Sequence, residues 1–349
     1  MRQRIHLTSS SDNVRIAWTR AGSGPVLVKA SNWLTHLRHD LESPVWRHWV
    51  EFLCEHFDTV RFDERGCGVS DREVEDLSEA SWLGDLECVI DAARIDRPMI
   101  LLGMSQGSLA VIQYAVKHPE RVSKLVLYGG YSQGWAVRDA SQRQHYRAVM
   151  EMMRLGWDLE NPVFRQAFTA RFLPAGSHEQ IDWYNDLCRK TVAPEMAVRL
   201  LEARAHADIT ELLGQVRVPT LVLHSRHDEV VPFSEGRRLA CGIPGADFVD
   251  LDSRNHILLS SEPAWQEFRK AVLDFTDVHR APDPRAESGP LTRREREILG
   301  VLTGGLSNIA IGQQLFISEK TVRNHLSSIY RKTGVGSRAE AIARFGNGV

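Results

Sequence analysis

Short runs of consecutive apolar residues alternate with longer stretches whose apolar positions recur every three or four residues, and this rhythm governs most of the 349-residue chain. The continuous runs lie at 25–30, 59–62, 99–103, 124–128, 220–224 and 248–251, each short enough for a strand buried on both faces. Between them, 45–57, 77–93 and 106–117 carry helical spacing. Strand alternating with helix predicts an α/β fold with a mostly parallel sheet covered on both sides. Two earlier stretches, 2–8 and 14–18, flank Ser10-Ser11-Asp12-Asn13 and predict an antiparallel hairpin at the sheet edge. The rhythm breaks over about 133–215, where helical turns such as 146–153 and 194–205 follow one another without a strand. An insertion of this kind predicts a helical lid over the carboxyl ends of the strands.

A second break falls at 279–290, where His279-Arg280-Ala281-Pro282-Asp283-Pro284 and Glu287-Ser288-Gly289-Pro290 suit neither helix nor strand. The expected division is a body at 1–278, a linker at 279–290 and a small all-helical domain at 291–349. Charge divides at the same place. The last 59 residues carry nine Lys or Arg against four Asp or Glu, which leaves 34 against 41 for the rest: +5 for the tail and −7 for the body. A basic tail on an acidic body permits phosphate contact by the tail alone. Hydrophobic residues at 43% and charged residues at 25% exclude a disordered chain. No apolar run reaches the length of a membrane span and no signal-peptide core follows the first residues, so a cytoplasmic protein without membrane contact is expected. Five cysteines, at 54, 67, 88, 188 and 241, form no CxxC pair and predict free thiols. Neither a cofactor nor a metal is implied.

Directly after the 99–103 strand stands Gly103-Met104-Ser105-Gln106-Gly107, followed by a helix. A serine on a tight strand-to-helix turn needs small residues two positions before and after it, and such a turn presents its hydroxyl as a nucleophile. A serine nucleophile needs a base, and the base needs an acceptor that fixes its tautomer. Asp228 follows the 220–224 strand and His256 the 248–251 strand, so all three arrive at one sheet edge. The backbone N–H of Gln106 supplies one oxyanion donor. On these residues, and on Asp63-Glu64-Arg65-Gly66-Cys67-Gly68-Val69-Ser70-Asp71, the body resembles the alpha/beta-hydrolase family across nearly all of residues 10–278. The resemblance implies an acyl-serine mechanism on an ester, thioester, lactone or activated amide. It also implies a second oxyanion donor from the loop after the 25–30 strand. That loop reads Lys29-Ala30-Ser31-Asn32-Trp33-Leu34 in place of the family's His-Gly, with Trp33 the best donor and Asn32 next. Ser31 and Asn32 are alternatively groups that hold an uncleaved ligand. Asn32, Trp33, Tyr131 and Trp135 are candidate pocket residues for an apolar small molecule, while Met152, Met153 and Trp157 lie on the same cleft or lid segments.

In the tail, Thr292 with Glu295 and Ser337 with Glu340 fit capping boxes, and Ser307 and Ser318 can cap two further helices. Only Phe316-Ile317-Ser318 separates a helix at 308–315 from one at 319–332, which sets the two at a steep angle. Val322, Leu326 and Ile329 form an apolar stripe opposite Lys320, Asn324, Ser327, Ser328 and Arg331. Over 291–343 the tail resembles the LuxR-type helix-turn-helix domain. The matching stretches include Leu291-Thr292-Arg293-Arg294-Glu295, Ile317 through Leu326, and Lys332-Thr333-Gly334-Val335. The resemblance implies that the helix holding Lys320, Thr321, Val322, Asn324 and His325 reads double-stranded DNA, that Lys332 touches its backbone, and that the chain is a homodimer. It departs at Ile309-Ala310, where a charged pair is usual, and at Gly312, where alanine is usual. The expected function is a transcription regulator whose hydrolase-fold body senses or processes a small-molecule ligand, with an active serine hydrolase as the alternative. The body lacks a phosphoacceptor organisation, so control by ligand is expected.

Overall fold

The buried apolar runs form the strands of one eight-stranded sheet in a computed structural model that describes residues 3–138, 140–278, 291–315, 317–319, 321–322, 325–326, 329, 333, 335 and 338–346. The strands are β1 (Ile5–Ser9), β2 (Arg15–Ala21), β3 (Val26–Lys29), β4 (Asp58–Phe62), β5 (Met99–Met104), β6 (Val122–Tyr128), β7 (Thr220–Ser225) and β8 (Asp247–Leu251). Their order across the sheet is β1-β2-β4-β3-β5-β6-β7-β8. The hairpin of β1 and β2 is antiparallel and joins β4 antiparallel, while the other pairings are parallel. Every residue of β3, β5 and β7 is buried, as strands between two helical layers require, the polar Lys29, Thr220, His224 and Ser225 included.

Helices cover both faces. One layer holds α1 (Arg47–His56), whose Trp49 and Phe52 pack on Phe268. The opposite layer includes α2 (Glu79–Ala92) and α3 (Gly107–Lys117), with Val89, Ile90, Val111 and Ile112 in a second apolar cluster. Between β6 and β7 run α4 (Trp135–Arg138), α5 (Ala140–Gly156), α6 (Val163–Thr169), α7 (His178–Thr191), α8 (Pro194–Ala203) and α9 (Thr210–Leu213), the helical insertion expected over 133–215. Within it, α7 starts with a capping box of Ser177 and Gln180. After β7 come α10 (Phe233–Gly242) and α11 (Pro263–Thr276) on either side of β8.

The chain divides into two compact units, Met1–Arg280 and Ala281–Val349. The second is a helical cluster holding α12 (Arg293–Thr303), α13 (Asn308–Leu315) and α14 (Arg338–Phe345). Thr292 and Glu295 form the expected capping box, and Ser307 and Ser318 accept the backbone N–H groups of Ala310 and Thr321. Val322, Leu326 and Ile329 are buried in the core of this unit with Ile298 and Leu302. Ser337 and the whole 279–290 linker lie outside the described residues. The five cysteines are free, with Cys54, Cys67 and Cys188 buried. Among the described residues no helix is long and apolar enough to cross a membrane.

Candidate active site

Parallel strands deliver their carboxyl ends to one edge, and the candidate triad stands there. Ser105 follows β5 directly, in the left-handed region with φ 51°. A residue with a Cβ adopts that conformation only where its surroundings impose it. Two close approaches do so. A Cβ on Gly103 would lie 2.5 Å from Val111 and 2.8 Å from the Ser108 backbone, and one on Gly107 would lie 2.8 Å from the Ser31 carbonyl oxygen. The glycines therefore let α3 press onto its own strand and onto the loop after β3. The Ser105 N–H donates to the Tyr128 carbonyl at 2.9 Å, fixing the turn to β6.

Past β7, Asp228 has a buried side chain. Its Oδ1 accepts the N–H groups of Val230 at 2.8 Å and Val231 at 3.0 Å, and its Oδ2 accepts His256 Nδ1 at 2.6 Å. Burial alone would raise its pKa, but the adjacent His256 and these donors hold it below the ordinary carboxylate value. With Nδ1 committed to Asp228, Nε2 of a neutral His256 is left to act as the base. The His256 loop is held twice: its N–H donates to the Phe172 carbonyl at 3.0 Å, and the Tyr128 hydroxyl donates to its carbonyl at 2.9 Å. Tyr128 thus ties the nucleophile's turn to the base's loop. His224 also approaches Asp228, at 3.7 Å, but it is fully buried with Nε2 against the Val231 carbonyl, and burial lowers its pKa.

Ser105, Gln106 and His256 line one cavity of about 700 Å³, open space at its mouth included, and so do the four sequence-chosen pocket residues Asn32, Trp33, Tyr131 and Trp135. Trp33 stacks against Trp157 and tilts against Phe168 of the insertion. Met153 and Trp157 are buried in the core of the insertion, and Met152 is partly buried against that core. The loop from Ser31 onward is anchored from beneath. Lys29 Nζ donates to Asn32 Oδ1, Asn32 Nδ2 donates to the Trp33 carbonyl at 3.3 Å, and Asp63 accepts the N–H groups of Leu37 and Val69 at 3.0 and 2.9 Å. Burial pushes the Lys29 ammonium down to about 8 and the Asp63 carboxyl up to about 7. Asn32 therefore has both side-chain polar atoms engaged by the scaffold, while Trp33 lines the cavity.

Sequence reasoning passed over three charged residues at this site. Arg204, just after α8, lines the cavity, pairs with the buried Glu64 and lies 4.5 Å from the Trp82 ring centroid. Arg138, at the end of α4, lines the same cavity. Glu64 sits within the 63–71 segment that carries part of the family resemblance, and no local pattern marks its partner 140 positions later. In the tail, Thr321 contributes its N–H to the Ser318 cap, and His325 is partly exposed. Val322 is a correction: it is fully buried in the tail's core, so its side chain packs the helix and does not face a ligand. Lys320, Asn324 and Lys332 lie outside the described residues. Gly312 has its own reason, since a Cβ there would lie 2.7 Å from the Ile317 carbonyl oxygen.

Comparison with known proteins gives two family matches. Residues 46–250 match the family described as serine aminopeptidase S33, and residues 289–345 match the bacterial regulatory proteins of the luxR family. Among curated relatives, the pyrrolizixenacetamide deacetylase of Xenorhabdus hominickii is 25% identical over 75% of this chain and 95% of its own length. A 2-hydroxy-6-oxononadienedioate/2-hydroxy-6-oxononatrienedioate hydrolase of Klebsiella pneumoniae is 27% identical over 70% of this chain and 81% of its own. Among solved structures, an esterase from Exiguobacterium antarcticum superposes with a TM-score of 0.67 at 20% identity, covering 78% of this chain and 98% of that one.

Proposed function

We propose, from the premise that this chain belongs to the serine aminopeptidase S33 family and ends in a luxR-family regulatory domain, that its body is a working serine hydrolase whose small-molecule chemistry is reported to DNA. The observation that carries this reading is the 2.6 Å hydrogen bond from His256 to Asp228 beside a strained Ser105 in an aromatic-lined cavity. A body that only sensed its ligand would need the cavity but not this pairing. The names of the relatives, a deacetylase and a hydrolase, favour turnover as well.

His256 takes the Ser105 proton through Nε2 as Oγ bonds to the carbonyl carbon of an ester, thioester, lactone or activated amide. The imidazolium so formed is stabilised by Asp228. The oxyanion of the tetrahedral intermediate faces the Gln106 and Trp33 amides. Collapse breaks the bond to the leaving group, which departs with the proton from His256. Water then attacks the acyl-serine, giving its proton to His256, and the carboxylic acid leaves as Oγ is reprotonated.

The tail binds duplex DNA through the 319–332 helix. The resemblance to the luxR-type domain assigns Lys320 and Lys332 to phosphates and Thr321, Asn324 and His325 to the bases. The protein acts in the cytoplasm as a homodimer on a two-fold symmetric site, under control of the ligand. A fluorophosphonate probe tests the enzymatic claim. It labels the full chain, spares Ser105→Ala and labels His256→Ala at least about 1000-fold more slowly. Failure to label the wild-type chain refutes turnover.

A further inference from the structure

The cavity beside Ser105 contains two guanidinium groups and, among its described lining residues, no carboxylate. The two cations differ in what balances them. Arg204 is neutralised by Glu64 and laid on Trp82, so its charge is already committed to the scaffold. Arg138 lies 5.0 Å from the Tyr131 ring centroid, and its Nε is buried without an acceptor. No Asp or Glu among the described residues comes within ion-pair distance of it. An aromatic face steers a guanidinium but satisfies none of its five N–H groups, and a cation with no counter-ion in an apolar cavity is a costly arrangement. The fork of an arginine matches one planar group above others, the carboxylate, which it binds through two parallel hydrogen bonds.

We propose that Arg138 is the counter-ion of the ligand, and that the cavity takes an ester, thioester or amide with an apolar body and a single carboxylate remote from the scissile carbonyl. This substrate class rests on the reading of the cavity as the binding site of a hydrolase. A cation without a counter-ion among the described residues balances a monoanion, whereas a phosphate dianion would leave a charge unpaired inside an aromatic wall. The body of the ligand lies against Tyr131, Trp135 and Phe168, which offer ring faces and, apart from the Tyr131 hydroxyl and the Trp135 N–H, no polar groups. The Trp135 N–H is spent on the Leu201 carbonyl at 3.0 Å, so it does not compete for the ligand's oxygens.

Calorimetric titration of the full chain with a series of ω-phenylalkanoates, from phenylacetate to 6-phenylhexanoate, and with the matching primary amides tests this. At the best chain length the carboxylate binds at least about 10-fold more tightly than its amide, as a charge-assisted pair requires. Arg138→Met brings that ratio to about one. Arg138→Lys keeps the charge without the fork and retains a reduced ratio, which also covers a methionine variant that disturbs α4. A ratio near one at every chain length in the wild type, or an undiminished ratio in Arg138→Met, overturns the proposal. Because binding needs no turnover, Ser105→Ala gives the wild-type ratio. A chain that resists the fluorophosphonate probe yet discriminates carboxylate from amide refutes the hydrolase alone. A chain that is labelled but does not discriminate refutes the carboxylate alone.

Discussion

Ser105 pays for its exposure with backbone strain: at φ 51° its Cβ crowds the following peptide, a conformation that costs an L-residue about 1–2 kcal/mol and glycine almost nothing. Removing the hydroxyl in two ways isolates that strain. Ser105→Gly is expected to exceed Ser105→Ala in stability by about 1 kcal/mol in guanidinium unfolding, although neither is labelled by the probe and glycine is ordinarily the weaker residue. Equal midpoints would mean that the turn relaxes and stores nothing. A second residue sets a pH response. His48 contacts the Leu258 carbonyl through Nε2 at 2.9 Å and meets the edge of Trp265, and burial pushes its pKa down to about 4. In the unfolded chain an imidazole takes up its proton near its ordinary pKa of about 6.5, so unfolding binds a proton between about pH 6.5 and 4. His48 accordingly contributes stability above that window that is lost as pH falls through it, by about 2 kcal/mol after allowance for its partial contact with solvent. His48→Gln retains a donor for Leu258 and should show a shallower acid-side loss by that amount in thermal unfolding from pH 7 to pH 4. Parallel curves for the two proteins would remove His48 from the account.

Elements are joined here by a few buried charges, and those joints were the least visible in the sequence. Arg204 at the end of α8 reaches across to Glu64 after β4, so the insertion is pinned to the sheet by one ion pair with both side chains about 95% buried or more. Breaking such a pair from one side strands the other charge, at a cost of about 3–5 kcal/mol, whereas removing both charges together is close to neutral. Arg204→Met alone should therefore lower stability by about 3 kcal/mol. The double variant Glu64→Gln with Arg204→Met should recover most of it, measured in one denaturant series. If the double variant is no better than the single one, the pair does not couple the insertion to the sheet. The central strands, by contrast, were legible to within a residue or two, because a short, mostly apolar run buried on both faces does not imitate an amphipathic helix. Ser105, Asp228 and His256 were legible as candidates for a related reason, since they stand one, three and five positions past the ends of β5, β7 and β8. Arg138, Arg204 and Tyr128 were not. Their significance comes from what the folded chain brings opposite them, and no spacing rule links Arg204 to Glu64 or the Tyr128 hydroxyl to the His256 carbonyl. Val322 shows the converse limit: a resemblance locates a helix on DNA, but only packing shows which of its side chains turn inward.

At the scale of the whole molecule, a −7 body and a +5 tail leave phosphate recognition to the tail, and the body can influence that recognition only by changing the free energy of states the tail prefers. Occupancy of the cavity and affinity for DNA are then linked quantities. A ligand that alters the affinity for duplex by some factor must itself be bound more or less tightly by the same factor when duplex is present. The fluorophosphonate adduct on Ser105 offers a permanently occupied state in which this can be read. On a duplex obtained by selection from random sequence, the adduct is expected to differ from the free chain by about 5–150-fold in dissociation constant, the range of ordinary coupling energies. Ser105→Ala exposed to the same probe should be unchanged, which separates occupancy from the reagent. The adduct is irreversible and reports one direction only, so the reverse direction is measured by calorimetry of a reversible phenylalkanoate with and without duplex. Reciprocity requires the factor found there to equal the one by which the same phenylalkanoate changes the affinity for duplex. If adduct and free chain bind duplex equally, the hydrolase-fold body and the DNA-binding unit share a chain without sharing an equilibrium, and the turnover proposed for Ser105 serves some end other than transcription.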